Sequence, residues 1–351
     1  MATTNSLFIY NNTSVLDALK KMDNIRRKLL IVVDESNKYI NLISIGDIQR
    51  AIIDNKGLET PISEVFTAPK TVASDKQSFE EIKQMMLKIR CEFMPVISSN
   101  QTIKKLYFWE DVFDKSQNRK KAQLNLPVIV MAGGKGSRLK PITNVLPKPL
   151  IPINEKTIIE EIMDRFVVAG CSNFYISVNY KAEMIKHFFE QLNNEDYHIS
   201  YFQEEKPLGT AGSIFLIKNK INSTFFVSNC DIILDLDLSE VYKYHRENKN
   251  IITIVSALKH YKIPYGTIKT SQKGQLQELI EKPELTFQIN AGLYLLEPEC
   301  LDYIPENTFF HITELIEKLK YTEKNIGVFP VSQGSWTDIG QWNEYLKLIN
   351  E

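Results

Sequence analysis

Apolar positions along the chain follow two rhythms, a helical spacing of three and four residues and short unbroken runs. In the first third, Leu16 and Leu19 open one helical face, and Phe79, Ile82, Met85 and Met86 form another. Leu29–Val33 and Phe93–Ile97 are apolar runs of strand length. The two sets repeat at a constant offset of 64 residues, which pairs Ser14 with Ser78, Met22 with Met86, Val33 with Ile97 and Asp47 with Asp111. Each copy reads as helix, strand, polar turn, short strand, then an Asp that opens a helix (Gly46-Asp47-Ile48 and Glu110-Asp111-Val112). A duplicated unit of this kind buries its apolar face against its twin.

From Asp114 to Asn125 the apolar rhythm stops, and Lys115, Arg119, Lys120 and Lys121 make the segment basic. The expected division is a front module over 1–115 (repeats of about 1–60 and 61–115), a linker over 116–126 and a larger unit over 127–351. In the larger unit, strands at Val128–Ala132, Phe174–Asn179, His198–Gln203 and Thr224–Asn229 alternate with helices at Thr157–Ala169, Ala182–Leu192 and Thr210–Ile217. That order predicts right-handed crossovers and an α/β fold with a mostly parallel sheet. Ligands of such sheets gather at the carboxyl ends of the strands.

Composition narrows the function classes. Hydrophobic residues make up 43% and charged residues 24%, and a net charge of −1 argues against a chain built to coat nucleic acid or an anionic membrane. Cys91, Cys171, Cys230 and Cys300 form no Cys-x-x-Cys pair, which points to reduced, buried thiols rather than disulfides or zinc. There is no basic start leading into an apolar core and no run long enough to span a bilayer, so the cytoplasm is the expected location.

Candidate chemistry lies after the first strand of the larger unit. Ala132 is followed by Gly133-Gly134-Lys135-Gly136-Ser137-Arg138-Leu139-Lys140-Pro141, whose glycines let backbone N–H groups approach an anion. Neither a Walker loop nor a dinucleotide fingerprint fits, and the prolines that follow predict an extended loop rather than a long helix. Lys148, held between Pro147 and Pro149, can be aimed at that anion together with Arg138. Asp231 ends an apolar strand (Phe226–Asp231), where a carboxylate suits a hard cation such as Mg²⁺. The five histidines fall into no metal-binding pattern and receive no catalytic role.

These motifs resemble the sugar nucleotidyltransferase family, whose hallmark runs Gly-Gly-x-Gly-Ser/Thr-Arg-Leu-x-Pro and continues to Pro-Lys-Pro-Leu. The resemblance covers about Pro127 to the C-terminus and five blocks in the family's order. It implies a Rossmann-like, mixed, mostly parallel sheet and transfer of a nucleotidyl group from a nucleoside triphosphate to a sugar 1-phosphate. Ala132, Gly133, Gly134, Gly136, Ser137, Glu204, Gly209 and Thr210 would then bind the nucleotide, with Arg138 and Lys148 on the triphosphate. Gly209 would allow close packing of the base. Asp231 and Asp338 (in Trp336-Thr337-Asp338) would share Mg²⁺, and Lys282 would hold the sugar phosphate beside Gly266, Glu281 and Asn290. A carboxylate at Glu204, or at Glu205 next to it, suits the two adjacent donors of guanine, which favours GTP.

The front module resembles a tandem CBS (α+β) module, on Ser44-Ile45-Gly46-Asp47-Ile48-Gln49-Arg50 and Met94-Pro95-Val96-Ile97. That resemblance implies an adenine nucleotide whose ribose meets Asp47 and Asp111, with helix capping as the other reading of both residues. Trp109-Glu110 departs from the pattern and could block a ligand in the second copy. The module is also a candidate surface for homo-oligomerisation. The combination most resembles the glucosamine-1-phosphate guanylyltransferases of legionaminic acid synthesis. Mannose-1-phosphate or heptose-1-phosphate guanylyltransferases, a UTP-, dTTP- or CTP-dependent relative, and a catalytically silent nucleotide sensor are the competing expectations.

Overall fold

A computed structural model describes residues 4–66, 68–89, 91–112, 123–192 and 194–350, apart from a few side chains at the segment ends, and the 64-residue repeat recurs in it element by element. The first copy contains β1 (Phe8–Tyr10), α1 (Val15–Asn24), β2 (Leu29–Val33), β3 (Tyr39–Ser44) and α2 (Ile45–Ile53). The second contains β4 (Ala73–Ser74), α3 (Phe79–Ile89), β5 (Phe93–Ile97), β6 (Ile103–Phe108) and α4 (Trp109–Val112). Each copy makes a three-stranded sheet with one parallel pair and one hairpin, and the hairpins share an irregularity at Val32/Val33 and Val96/Ile97. Ser14 Oγ accepts the Asp17 amide at 3.0 Å, and Ser78 Oγ accepts the Glu81 amide at 3.3 Å, so equivalent caps begin equivalent helices. Phe93 of one copy is buried with Leu7, Ile31, Val33 and Leu42 of the other, a shared core as duplication requires.

Asp47 does not open its helix. Ser44 is the N-cap of α2, and Asp47 stands three residues in, closing a capping box. Its carboxylate is 3% exposed and accepts Ser44 N at 2.8 Å, Ser44 Oγ at 2.7 Å, Arg50 at 2.5 Å and Lys70 at 2.9 Å. Burial pushes the pKa of this group up, but the bonds from Ser44 and Lys70 outweigh it and hold the carboxyl below its usual range. The Asp111 side chain and linker residues 113–122 lie outside the described residues.

The chain divides into two compact units, 1–120 and 121–351. Leu124 and Asn125, expected in the linker, donate backbone bonds to Ala169 and Gly170, and Leu126 is buried. The larger unit continues through β7 (Val128–Met131), β8 (Pro152–Ile153), β9 (Lys156–Thr157), α5 (Ile158–Val168), β10 (Asn173–Val178), α6 (Ala182–Leu192), β11 (His198–Gln203), α7 (Gly209–Gly212) and β12 (Phe225–Asn229). It is completed by β13 (Ile232–Leu234), α8 (Leu238–Glu247), β14 (Ile252–Lys262), β15 (Thr267–Thr270), β16 (Leu276–Ile280), β17 (Glu284–Leu296), α9 (Ile312–Tyr321), β18 (Ile326–Val331), β19 (Trp336–Asp338) and α10 (Trp342–Asn350).

The central sheet runs β11-β10-β7-β12-β17-β14-β18, with β17 antiparallel to both its neighbours and the other contacts parallel. The mostly parallel α/β sheet matches the sequence pattern, and its mixed character, from β17, matches what the family resemblance implies. Val128, Ile129, Val130, Phe225, Phe226 and Val227 are all buried because helices cover both faces of the central strands. The helix expected over Thr210–Ile217 is instead the single turn α7 followed by a 3-10 run from Ile214 to Lys220. Among the described residues, no helix is long and apolar enough to cross a membrane.

Candidate functional site

The strands β7, β10, β11 and β12 run parallel and end together at one edge of the sheet, where a cleft of about 510 Å³ opens. Gly133, Gly134, Lys135, Gly136, Ser137 and Arg138 line it on leaving β7. The segment has no long helix. Short 3-10 turns at Ser137–Leu139, Ile142–Asn144 and Lys148–Leu150 follow one another, the first anchored by fully buried Leu139. The loop is tied down from outside, because Tyr180 Oη donates to Thr143 O at 3.2 Å and Trp342 Nε1 donates to Lys140 O at 2.8 Å.

Gly136 has φ +61°, and a Cβ there would lie 2.9 Å from Lys148 Cβ and from Thr143 Cγ2. The glycine is therefore needed so that Lys148 can pack beneath the loop. Lys148 is only 9% exposed, and its Nζ donates to Asp231 Oδ2 at 2.6 Å.

Asp231 and Asp338 come together through strand pairing. β13 and β19 are antiparallel with Ile232 opposite Asp338, and Ile339 N donates to Asp231 O at 2.8 Å. Gly340 marks their meeting point. A Cβ built on it would lie 2.8 Å from Asp338 Oδ1 and 3.2 Å from both Asp231 Oδ2 and Lys148 Nζ. Gly340 N donates to Asp338 Oδ1 at 2.8 Å, which fixes that carboxylate. Two carboxylates meeting at Gly340 beside the glycine-rich loop, of which Asp231 lines the cleft, match the donor set of Mg²⁺, which takes one or two protein carboxylates and completes its shell with phosphate and water. Among the described residues no group of three or more acids, histidines or cysteines forms a closed cage for a metal.

In the same cleft, Glu204 is partly buried and is among the lining residues, while Glu205 is exposed and is not, so Glu204 is the one that faces the cavity. Its Oε2 accepts the Leu208 amide at 2.7 Å, and Ser177 Oγ lies 3.5 Å from Oε1. Gly209 and Thr210 line the same wall. The close approach at Gly209 (φ +75°) is made by Phe310 O, 2.7 Å from where a Cβ would stand, so backbone packing demands the glycine. Ala132 does not line the cleft. It is 1% exposed, and its amide donates to Ser177 O at 3.0 Å.

The residues expected at the sugar phosphate sit elsewhere. Gly266, Glu281, Lys282 and Asn290 are all exposed and are not among the described residues lining the cleft. They lie on or beside the β15–β16 hairpin and the first half of β17, which pairs with the second half of β14. Gly266 and Glu281 are neighbours, since a Cβ on Gly266 would be 2.9 Å from Glu281 Oε2. Asn290 is linked to the cleft only indirectly. Its Oδ1 accepts Gly292 N at 3.0 Å, and Gly292 packs against the cleft residue Asn229.

Tyr180, Phe309 and His311 line the cleft without any sequence signal. His311, given no role from sequence, is also the N-cap of α9. Cys230 lines the cleft as well, and burial pushes its thiol up to about 12, which disfavours the thiolate. Cys171 and Cys300 are likewise buried, with thiols pushed up to about 11 and about 12.

Residues 127–351 match the family model described as nucleotidyl transferase, and residues 1–54 match that of the CBS domain. A UTP–glucose-1-phosphate uridylyltransferase from Synechocystis sp. is 31% identical over 244 residues, 64% of this chain and 62% of its own. Mannose-1-phosphate guanyltransferase 2 from Candida glabrata is 32% identical over 226 residues, 62% of each chain. This chain thus spans less than two thirds of the length of these relatives. Among solved structures, HddC from Yersinia pseudotuberculosis superposes with a TM-score of 0.50 at 24% identity, over 64% of this chain and 98% of that one. A putative glucose-1-phosphate thymidylyltransferase from Bacillus anthracis, in complex with a sucrose, gives 0.51 at 21% identity, over 64% and 94%. These two likenesses show the fold.

Proposed function

The chain belongs to the nucleotidyl transferase family, and on that premise we propose that it transfers a nucleotidyl group from a nucleoside triphosphate to a sugar 1-phosphate. The observation that carries this reading is the convergence of Lys148, Asp231 and Asp338 on Gly340 beside the glycine-rich loop. A phosphate oxygen of the sugar attacks the α-phosphorus, a new P–O bond forms, and the bond to the departing pyrophosphate breaks. The attacking oxygen is already anionic, so no strong base is required, and the residues act by alignment and charge neutralisation. Loop amides from Gly133 to Ser137 hold the triphosphate, and exposed Arg138 takes up charge on the departing pyrophosphate. Asp231 and Asp338 would hold Mg²⁺, which supplies charge neutralisation across phosphate oxygens. Lys148, which the resemblance places on the triphosphate, orients Asp231, and Lys282 would meet the sugar phosphate from the exposed connection between β16 and β17.

For the donor we propose GTP. The partly buried Glu204 offers Oε1 to the two adjacent donors of guanine while Oε2 stays on the Leu208 amide. The guanyltransferase among the relatives supports this, and the uridylyltransferase keeps UTP as the alternative. For the acceptor we propose glucosamine 1-phosphate, on the resemblance of the two-module arrangement, with mannose 1-phosphate or heptose 1-phosphate as alternatives. The front unit is proposed to take an adenine nucleotide and to mediate self-association, with Asp47 shaping the site through its capping box rather than touching the ligand. A matrix of GTP, UTP, dTTP and CTP against these sugar 1-phosphates, read as pyrophosphate released, tests the reading. Release with GTP and glucosamine 1-phosphate is expected, and a matrix empty in every cell contradicts it.

A further inference from the structure

We infer that Phe309, buttressed by His311, is the wall on which the base of the nucleoside triphosphate stacks, an inference that rests on the transferase reading above. Phe309 is 55% exposed and faces the same cleft as Glu204 and Gly209. An exposed aromatic on a loop ordinarily keeps its freedom, but the backbone around this one is tied down on both sides. Phe310 N donates to Leu208 O at 2.8 Å, and Phe310 O accepts the amides of Ala211 at 3.0 Å and Gly212 at 2.9 Å. Ile312 N donates to Thr210 Oγ1 at 2.9 Å.

The approach is close enough that α7 tolerates only glycine at two places. A Cβ on Gly209 would lie 2.7 Å from Phe310 O, and one on Gly212 would lie 2.5 Å from Thr308 O. The His311 ring then meets the Phe309 ring edge-on, at 4.7 Å and 82°. The ring is thus set before any ligand arrives, so stacking costs little ordering entropy.

A held, half-exposed ring lining the same cleft as Glu204 and Gly209 suits a flat heteroaromatic face. Every base has such a face, so the contact adds affinity without selecting among bases. Selection is left to Glu204. Tripolyphosphate, which has no base, gains nothing from the ring.

Calorimetric titration of the full chain with Mg²⁺ and, in turn, GTP, UTP and inorganic tripolyphosphate tests this. Phe309→Ala is expected to weaken the nucleotides about tenfold, the order that loss of one base–aromatic stack brings, and to leave tripolyphosphate unchanged. Phe309→Trp is expected to recover the affinity. Unchanged nucleotide binding in Phe309→Ala overturns the inference, as does an equal loss for all three ligands. A weaker KM for the sugar 1-phosphate alone overturns it too, because the ring then serves the other substrate. A wild-type chain that binds neither nucleotide overturns the transferase reading, and this inference with it.

Discussion

Lys148 Nζ lies 2.6 Å from Asp231 Oδ2, and the lysine is only 9% exposed. The flanking prolines and the missing side chain at Gly136 put the ammonium where it holds one of the two acids that meet at Gly340. Lys148→Met is expected to lower kcat by about 10²-fold or more, the scale seen when one preorganised charge is removed from such a site. Asp231 is 23% exposed and can turn to water, so Tm should fall only slightly. Steady-state kinetics beside a thermal melt checks both, and a variant with normal kcat contradicts the assignment.

Glu204→Gln should shift base preference from guanine toward uracil or thymine. The amide oxygen of Gln can keep the bond to Leu208 N, which leaves its NH₂ to face the base. A change of about tenfold or more in the GTP/UTP ratio of kcat/KM is expected from one repaired and one broken hydrogen bond. An unchanged ratio means that Glu204 only braces its loop.

Gly209→Ala should destabilise the larger unit by about 1–3 kcal/mol, since φ is +75° and the new methyl would meet Phe310 O. Denaturant unfolding measures it. A neutral result would mean that the Phe309 loop can move away from α7.

His245 is buried between Thr253 Oγ1 at 2.8 Å and Glu297 Oε1 at 3.1 Å. Burial outweighs the pull of Glu297 and holds its pKa below the ordinary 6.5, so the fold prefers the neutral ring. The preference is fully present above pH 6.5 and is lost as the pH falls through the depressed value. His245→Gln should therefore lose less Tm than wild type between pH 7 and pH 5. An equal loss in both chains would assign the acid sensitivity to other groups.

Much of this was legible in the sequence because it is local or periodic. The offset between Ser14 and Ser78 holds for the helices, strands and hairpin irregularities of both copies. The run from Val128 reads as a buried strand because both of its faces are apolar. Asp47 stands three residues inside α2 because Ser44, an equally good cap, takes the N-cap and the two close a capping box, a choice that spacing alone does not decide. Periodicity also carries no trace of β17 running against the sheet, since that depends on pairing with distant β12 and β14. The meeting of Asp231 and Asp338 follows from the β13–β19 register, which residue spacing does not encode and only the family resemblance suggested. Phe309 sits in no pattern at all, since an exposed ring on a loop looks like any surface residue until its backbone bonds are known.

The central claim is that two carboxylates meeting at Gly340 organise phosphate transfer with a divalent cation. The most direct test is pyrophosphate release with GTP and glucosamine 1-phosphate over a Mg²⁺ titration, comparing wild type with Asp231→Asn and Asp338→Asn. The account predicts release that requires both the cation and the sugar phosphate, and that falls by orders of magnitude in either variant while the melting curve stays close to wild type. Release that persists without divalent cation, or near-normal turnover in both variants, would contradict it.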